Sequence, residues 1–314
     1  MVKIFFASDV HGSEVCFKKF LNAGKVYEAD AIILGGDLTG KMIVPIVRQG
    51  RRYVSEFSGR TWNISSDEEL DGLSKMIRDS GYYPHVTSER EMEELNADIT
   101  RVNELFSNLM VETMRRWIKI ANERLKGTNI SCYITPGNDD RFAIDKVLEE
   151  GEYVKNPEGK VVLVKDEYEM ISTGFSNPTP WKTPREITED ELEKKIKEMT
   201  SKIKDMRKCI FNVHCPPYNT TIDTAPQLDE NLKIVTRAGQ MLMIPAGSVA
   251  VRNSIKKHQP LLGLHGHIHE SRGAVKIGKT LCLNPGSEYN EGILRGVIVN
   301  LKDANVKSYL FTSG

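Results

Sequence analysis

Five short apolar stretches of this chain each run into a polar block punctuated by glycine or proline, and no other feature of the sequence constrains the fold as strongly. Val2 to Ala7 leads into Ser8-Asp9-Val10-His11-Gly12, and Ala31 to Leu34 leads into Gly35-Gly36-Asp37. Asn129 to Thr135 leads into Pro136-Gly137-Asn138-Asp139-Asp140, Ile210 to Val213 into His214, and Leu261 to Leu264 into a block ending Gly266-His267-Ile268-His269. Short apolar runs bounded in this way read as buried strands. Each strand then delivers its polar side chains at its C-terminal end. Seven metal-binding groups, Asp9, His11, Asp37, Asn138, His214, His267 and His269, should therefore gather along one sheet edge. Asp9 and His11, at i and i+2, share a face if the exit segment is extended. Gly35-Gly36 lets the backbone approach a ligand closely before Asp37.

The residue types suit metal chemistry. Carboxylates and an amide oxygen match hard cations and imidazole matches borderline ones, so the mixture fits manganese, iron, zinc, cobalt or nickel better than calcium or magnesium. Seven ligands are enough for two ions, and Asp37 is the candidate to bridge them. Two cations about 3.5–4 Å apart can clamp both the attacking and leaving oxygens of a phosphoryl displacement, and can bring a bound water to a near-neutral pKa. A lone Asp-x-His or Gly-x-His is ordinarily a turn carboxylate or a surface imidazole. Five such blocks, each at a strand end, are hard to obtain by chance.

On these residues the chain resembles the calcineurin-like metallophosphoesterases, from Asp9 to His269, with residues 43 to 127 mainly unmatched. The resemblance implies an α/β fold, a four-layer αββα sandwich of two mixed β-sheets flanked by helices. It implies that Asp9, His11, Asp37 and His269 hold one divalent transition metal and Asp37, Asn138, His214 and His267 a second, with Asn138 also touching the substrate phosphate. The implied activity is hydrolysis of a phosphodiester or phosphomonoester by metal-bound hydroxide, with diesters favoured. The family usually places a His directly after the Asn to act on the leaving group; here that position is Asp139, followed by the expected acid, Asp140. The substitution leaves the metal ligands in place and bears on catalysis.

Gly247 to Arg252, Gln259-Pro260, and His214-Cys215-Pro216-Pro217-Tyr218 are similar to an archaeal and bacterial subgroup of these enzymes, and Asn284-Pro285-Gly286-Ser287 fits too. Ser248 is also a plausible helix N-cap, and Pro285-Gly286 a type II turn pair. His265 lies beside the ligands without being one, and reads as a residue that supports them from behind or simply packs.

Composition agrees. The 314 residues carry 43 Lys+Arg and 43 Asp+Glu, so the net charge is zero and there is no general field for nucleic acid or membrane. Val2 to Ala7 is too short for a signal-peptide core, and no stretch is long enough to span a bilayer, so a soluble cytoplasmic protein is expected. Five cysteines, odd in number and without Cys-x-x-Cys spacing, read as reduced and mostly buried thiols.

Asn138 follows Asp37 by 101 positions, whereas a strand-helix-strand unit needs about 30 residues. The expectation is one domain over 1–314 with a largely helical lobe inserted at 43–127. Residues 43 to 64 suggest a hairpin bearing Arg48, Arg51, Arg52, Tyr53, Phe57, Arg60 and Trp62, placed at the mouth of the site where Arg51 and Arg52 could recruit an anion. Leu70, Leu73 and Ile77 mark a short helix. Ser88-Glu89-Arg90-Glu91 opens a helix whose apolar stripe, from Met92 to Ile120, would span roughly 57 Å if unbroken to Lys126. That stripe reads as a helix packed on its own domain, or as a homodimer seam through 88–126. Thr188 and Glu191 open a Lys/Glu-rich helix over 188–206, and 293–300 and 305–311 look like closing strands.

Two other functional classes compete. Gly35 to Met42 nearly spells a P-loop, but Met42 replaces the Ser/Thr that would hold magnesium and Asp37 would repel phosphate. A binding or scaffold protein that keeps the fold and engages a partner through the inserted lobe is supported by Asp139 and opposed by the intact ligand set.

Overall fold

The computed structural model describes residues 1–314. Two six-stranded mixed sheets face each other. The first runs Asn305–Ser313, Arg295–Lys302, Val2–Ala7, Ala31–Leu34, Ser131–Ile134, Val154–Lys155. The second runs Gly273–Ile277, Thr280–Asn284, Leu262–Leu264, Cys209–Val213, Tyr168–Thr173, Val161–Val164. All five apolar stretches are strands, and their neighbours in each sheet centre are parallel, so their C-terminal ends share an edge.

Strand alternation builds the layers. Ile4 and Phe6 point between the sheets, where they meet Ile210, Leu262, Leu264 and Leu283. Phe5 and Ala7 point outward into a core made with helices Glu14–Val26 and Ile99–Leu125. The outer face of the second sheet packs Phe211 and Val213 against helices Glu189–Thr200 and Val249–His258. The result is the expected α/β/β/α sandwich.

The region between Asp37 and Asn138 differs from its sequence reading. Residues 43–64 form three strands, Ile43–Gln49, Arg52–Phe57 and Arg60–Ile64, and the first also pairs in parallel with Tyr83–Ser88 to complete a four-stranded sheet. Helix Asp67–Asp79 covers this sheet through Leu73 and Ile77. The lobe is thus largely helical, as expected, with a four-stranded sheet beside its helices. The long helix is two, Glu89–Ala97 and Ile99–Leu125. Asp98 breaks them apart because its backbone is extended and its carboxylate caps the second helix, accepting from the Thr100 N–H at 2.8 Å. The first helix buries nothing. The second buries Met110, Met114, Trp117, Ile118, Ala121 and Leu125 in the chain's own core, where Trp117 stacks on Phe17 at 4.2 Å.

The Thr188 capping box forms as read, with the helix ending at Thr200. Ser248 caps its helix by accepting from the Val251 N–H. All five cysteines are buried and unpaired. No helix is long and apolar enough to cross a membrane.

Candidate metal centre

The seven residues converge where the two sheets' strand ends meet. Asp9, His11, Asp37 and Asn138 follow strands of the first sheet; His214, His267 and His269 follow strands of the second. Three overlapping triads of donor atoms draw together: Asp9 with His11 and His269, Asp37 with His214 and His267, and His11 with Asp37 and Asp139. His11 Nε2 lies 3.1 Å from His269 Nε2 and 3.6 Å from Asp37 Oδ2. His214 Nε2 lies 3.4 Å from the same Asp37 oxygen, which therefore sits between the two groups. The Asn138 amide oxygen is 3.0 Å from His214 Nε2 and 2.7 Å from His267 Nδ1.

The turns carrying these groups are not extended, contrary to the sequence reading of Asp9 and His11. Asp9, His11, Asp37 and His267 all have left-handed backbones, with φ of 56, 38, 49 and 68°. Non-glycine residues rarely adopt this conformation, and such strain persists where surrounding contacts enforce it. Those contacts are present: Asp9 N–H donates to Gly36 O, His11 N–H to Asp37 O, and His267 N–H to the Asp9 carboxylate at 3.0 Å. Gly36, at φ 127°, is required because a side chain there would occupy the space of the His214 ring.

The two carboxylates and the two neutral imidazoles suit cation binding, whereas His214, held protonated against its burial chiefly by Asp37, would have to give up its proton to a metal. Burial would raise the Asp9 carboxyl, but the His269 hydrogen bond and the His214 charge bring it to about 2. Asp37 also falls well below its ordinary range: burial opposes this, but His214 outweighs it. His11 drops to about 3 and His267 to about 4, chiefly through burial, leaving neutral rings with lone pairs to offer. His214 rises to about 10, its burial overcome by Asp37. Its Nδ1–H donates to Gly35 O at 2.9 Å, which aims Nε2 into the site. Two buried carboxylates, clustered imidazoles and one amide oxygen, all converging, are a donor set that fits divalent cations.

Several participants escaped the sequence reading. Asp140 is fully buried and accepts hydrogen bonds from Leu38 N–H, Thr39 N–H, Thr39 Oγ1–H and Gly137 N–H at 2.6–3.1 Å, clasping the Asp37 loop to the Asn138 loop. Arg185, also buried, donates through Nε to Asp140 O and pairs with Asp145. Thr183 Oγ1 accepts from the Asn138 amide at 2.9 Å, which fixes that amide with its oxygen toward the histidines. Lys41 pairs with Asp139 and lines the cavity in front of the site. Only Asp140 carried a signal, as the acid expected after the Asn block. His265 points away from the donors, its Nδ1–H donating to Val213 O at 2.8 Å, so it braces the strand that carries His214. The cavity receives only Phe106 from the lobe; Arg51 and Arg52 do not line it.

No protein-family model matches the chain. Among curated proteins, the uncharacterized protein MJ1162 of Methanocaldococcus jannaschii is 31% identical over 153 residues, 48% of this chain and 61% of that protein. The match thus spans less than two thirds of the relative's length. One solved structure aligns over 97% of both chains with a TM-score of 0.58 and 16% identity. TT1561 of Thermus thermophilus aligns over 100% of this chain and 98% of its own, with a TM-score of 0.53 and 15% identity. At such identities the likeness is one of fold. Taken with the facing mixed sheets, it gives the chain an α/β/β/α sandwich shared with these structures over its whole length, with the motif blocks standing at one edge of both sheets.

Proposed function

We propose that this protein is a metal-dependent phosphoesterase with two divalent transition metals, one held by Asp9, His11, Asp37 and His269 and the other by Asp37, Asn138, His214 and His267. The observation carrying this reading is the placement of Asp37 between two converging donor groups. Manganese, iron, zinc, cobalt and nickel all suit the donors. Bound there, the cations would supply Lewis-acid polarisation of the phosphoryl group and a water of lowered pKa.

The chain's own part is positioning. Gly35 O orients His214, Thr183 orients Asn138, and the Asp140 clasp holds the Asp37 and Asn138 loops in register. Lys41 brings an ammonium group to the cavity, where an ester phosphate or a departing oxygen could meet it. Five buried thiols suit a reducing compartment, so a cytoplasmic setting belongs to the same reading.

The test is hydrolysis of bis-p-nitrophenyl phosphate and p-nitrophenyl phosphate by purified protein reconstituted with each metal in turn, with elemental analysis of bound metal. Two ions per chain and faster turnover of the diester are expected, with metal content and activity both reduced in Asp37→Asn. No turnover with any metal, or an Asp37→Asn variant indistinguishable from wild type, would reject the proposal.

A further inference from the structure

Of the donor residues, Asp37, Asn138, His267 and His269 line a cavity of about 1010 Å³. The same cavity is also lined by Trp181, Tyr218, Leu228, Ile234, Ile244 and Val249. Five of these are strongly solvent-exposed for their type: Trp181 61%, Ile234 49%, Val249 43%, Ile244 37% and Tyr218 36%. A concentration of large apolar side chains around one concavity marks a ligand surface rather than ordinary exterior.

The wall is also built to stay in place. Trp181 sits in the segment Pro178-Thr179-Pro180-Trp181-Lys182-Thr183-Pro184, in which three prolines restrict the backbone. Glu186 ties that segment down by accepting from Thr179 N–H, Thr179 Oγ1–H, Thr183 N–H and Thr183 Oγ1–H at 2.5–2.9 Å. Through Thr183 the same segment holds the Asn138 amide. Ile244, also in the lining, lies on strand Met243–Pro245, paired antiparallel with Thr224–Pro226. An exposed tryptophan on a braced loop has already lost the freedom that binding would otherwise cost.

Charge is sparse away from the donors. Arg141 is committed to Asn103 O and Ser107 Oγ and stacks over Phe106. Glu189 is committed to the Ser248 hydroxyl and to the Val249 and Ala250 N–H groups. Lys41 is paired with Asp139, which leaves Lys182 as the remaining cation of the lining. That supply is poor for a polyphosphate or a multiply charged leaving group, and the volume exceeds what a small aryl group would fill.

Resting on the phosphoesterase reading above, we infer that the substrate is a phosphate ester whose organic part is a long apolar group, lying along Trp181, Ile234 and Ile244 with its phosphate at the donor cluster. The apolar part would contribute affinity in proportion to the surface it buries there.

The experiment titrates metal-loaded protein calorimetrically with ethyl-, butyl-, hexyl- and octylphosphonate, below micellar concentration, in wild type, Trp181→Ala and Ile244→Ala. Wild-type Kd should fall by up to about fourfold for each buried methylene, with an increasingly negative heat-capacity change. Both variants should flatten that dependence while keeping the wild-type melting temperature, since both side chains are exposed. A Kd independent of chain length, a dependence unchanged in both variants, or no phosphonate binding overturns the inference. A parallel series of alkyl p-nitrophenyl phosphates separates the two readings. Length-dependent phosphonate binding without turnover of any ester refutes the enzyme and keeps the apolar site. Turnover that ignores chain length, with length-independent binding, keeps the enzyme and refutes the apolar site.

Discussion

The Asp139 carboxylate lies 3.0 Å from the Lys41 ammonium at the rim of the donor cluster, and 3.7 Å from His11 Nδ1. Residues 98 apart in sequence thus form an ion pair where the resemblance places a histidine. Burial raises the Asp139 carboxyl, with the Asp37 charge adding to the rise, while Lys41 opposes it. Lys41 is held above its usual range, its burial outweighed by Asp139. On the proposed function, the pair offers a cation where the resemblance places an imidazole to act on the leaving group.

Lys41→Ala should therefore lower kcat/KM by about 10- to 100-fold, the equivalent of one charge-assisted hydrogen bond. The bound metal, measured by elemental analysis, should be unchanged, because Lys41 donates no lone pair to the donor cluster.

Asp139→His tests the other half of the pair. An ionised carboxylate has no proton to donate, whereas a positioned imidazole can contribute about 10²–10⁴-fold as a general acid. The substitution should help an alkyl diester more than a p-nitrophenyl diester, whose leaving group needs no proton. Loss of turnover on both without loss of metal would make Asp139 itself essential.

Asp140→Ala should be severe for stability. It strands several buried donors at once, each costing roughly 1–3 kcal/mol, so a loss on the order of 3 kcal/mol or more is expected in urea unfolding of the metal-free protein. Asp140→Asn, which keeps an acceptor oxygen, should lose less.

Trp117→Ala should cost about 3–5 kcal/mol, as expected for deleting a fully buried aromatic side chain. Trp117→Phe should cost less, since it preserves a ring against Phe17 and removes an indole N–H that has no partner. Equilibrium denaturation of the two variants provides the comparison.

The sequence exposed what local chemistry decides. Each of the seven donor residues ends a short apolar strand beside Gly or Pro, and those strands lie within a residue or two of where the pattern put them. Thr188 and Ser248 were readable as caps for the same reason. What stayed hidden depends on partners far along the chain. Nothing near Lys41 announces Asp139, and Arg185 acquires its meaning only against the carbonyl of Asp140. Strand Ile43–Gln49 forms the expected hairpin with Arg52–Phe57, but its second, parallel partner, Tyr83–Ser88, stayed hidden because it lies beyond an intervening helix. The break at Asp98 was a local signal that the continuing apolar stripe obscured.

The donor set is divided between the sheets, with Asp9 facing His269 across 260 positions of chain. Neither sheet alone presents a complete set for either ion. During folding, tight cation uptake should therefore lag behind formation of the sheets, and the metals would act as a latch on the finished sandwich rather than as a nucleus for it.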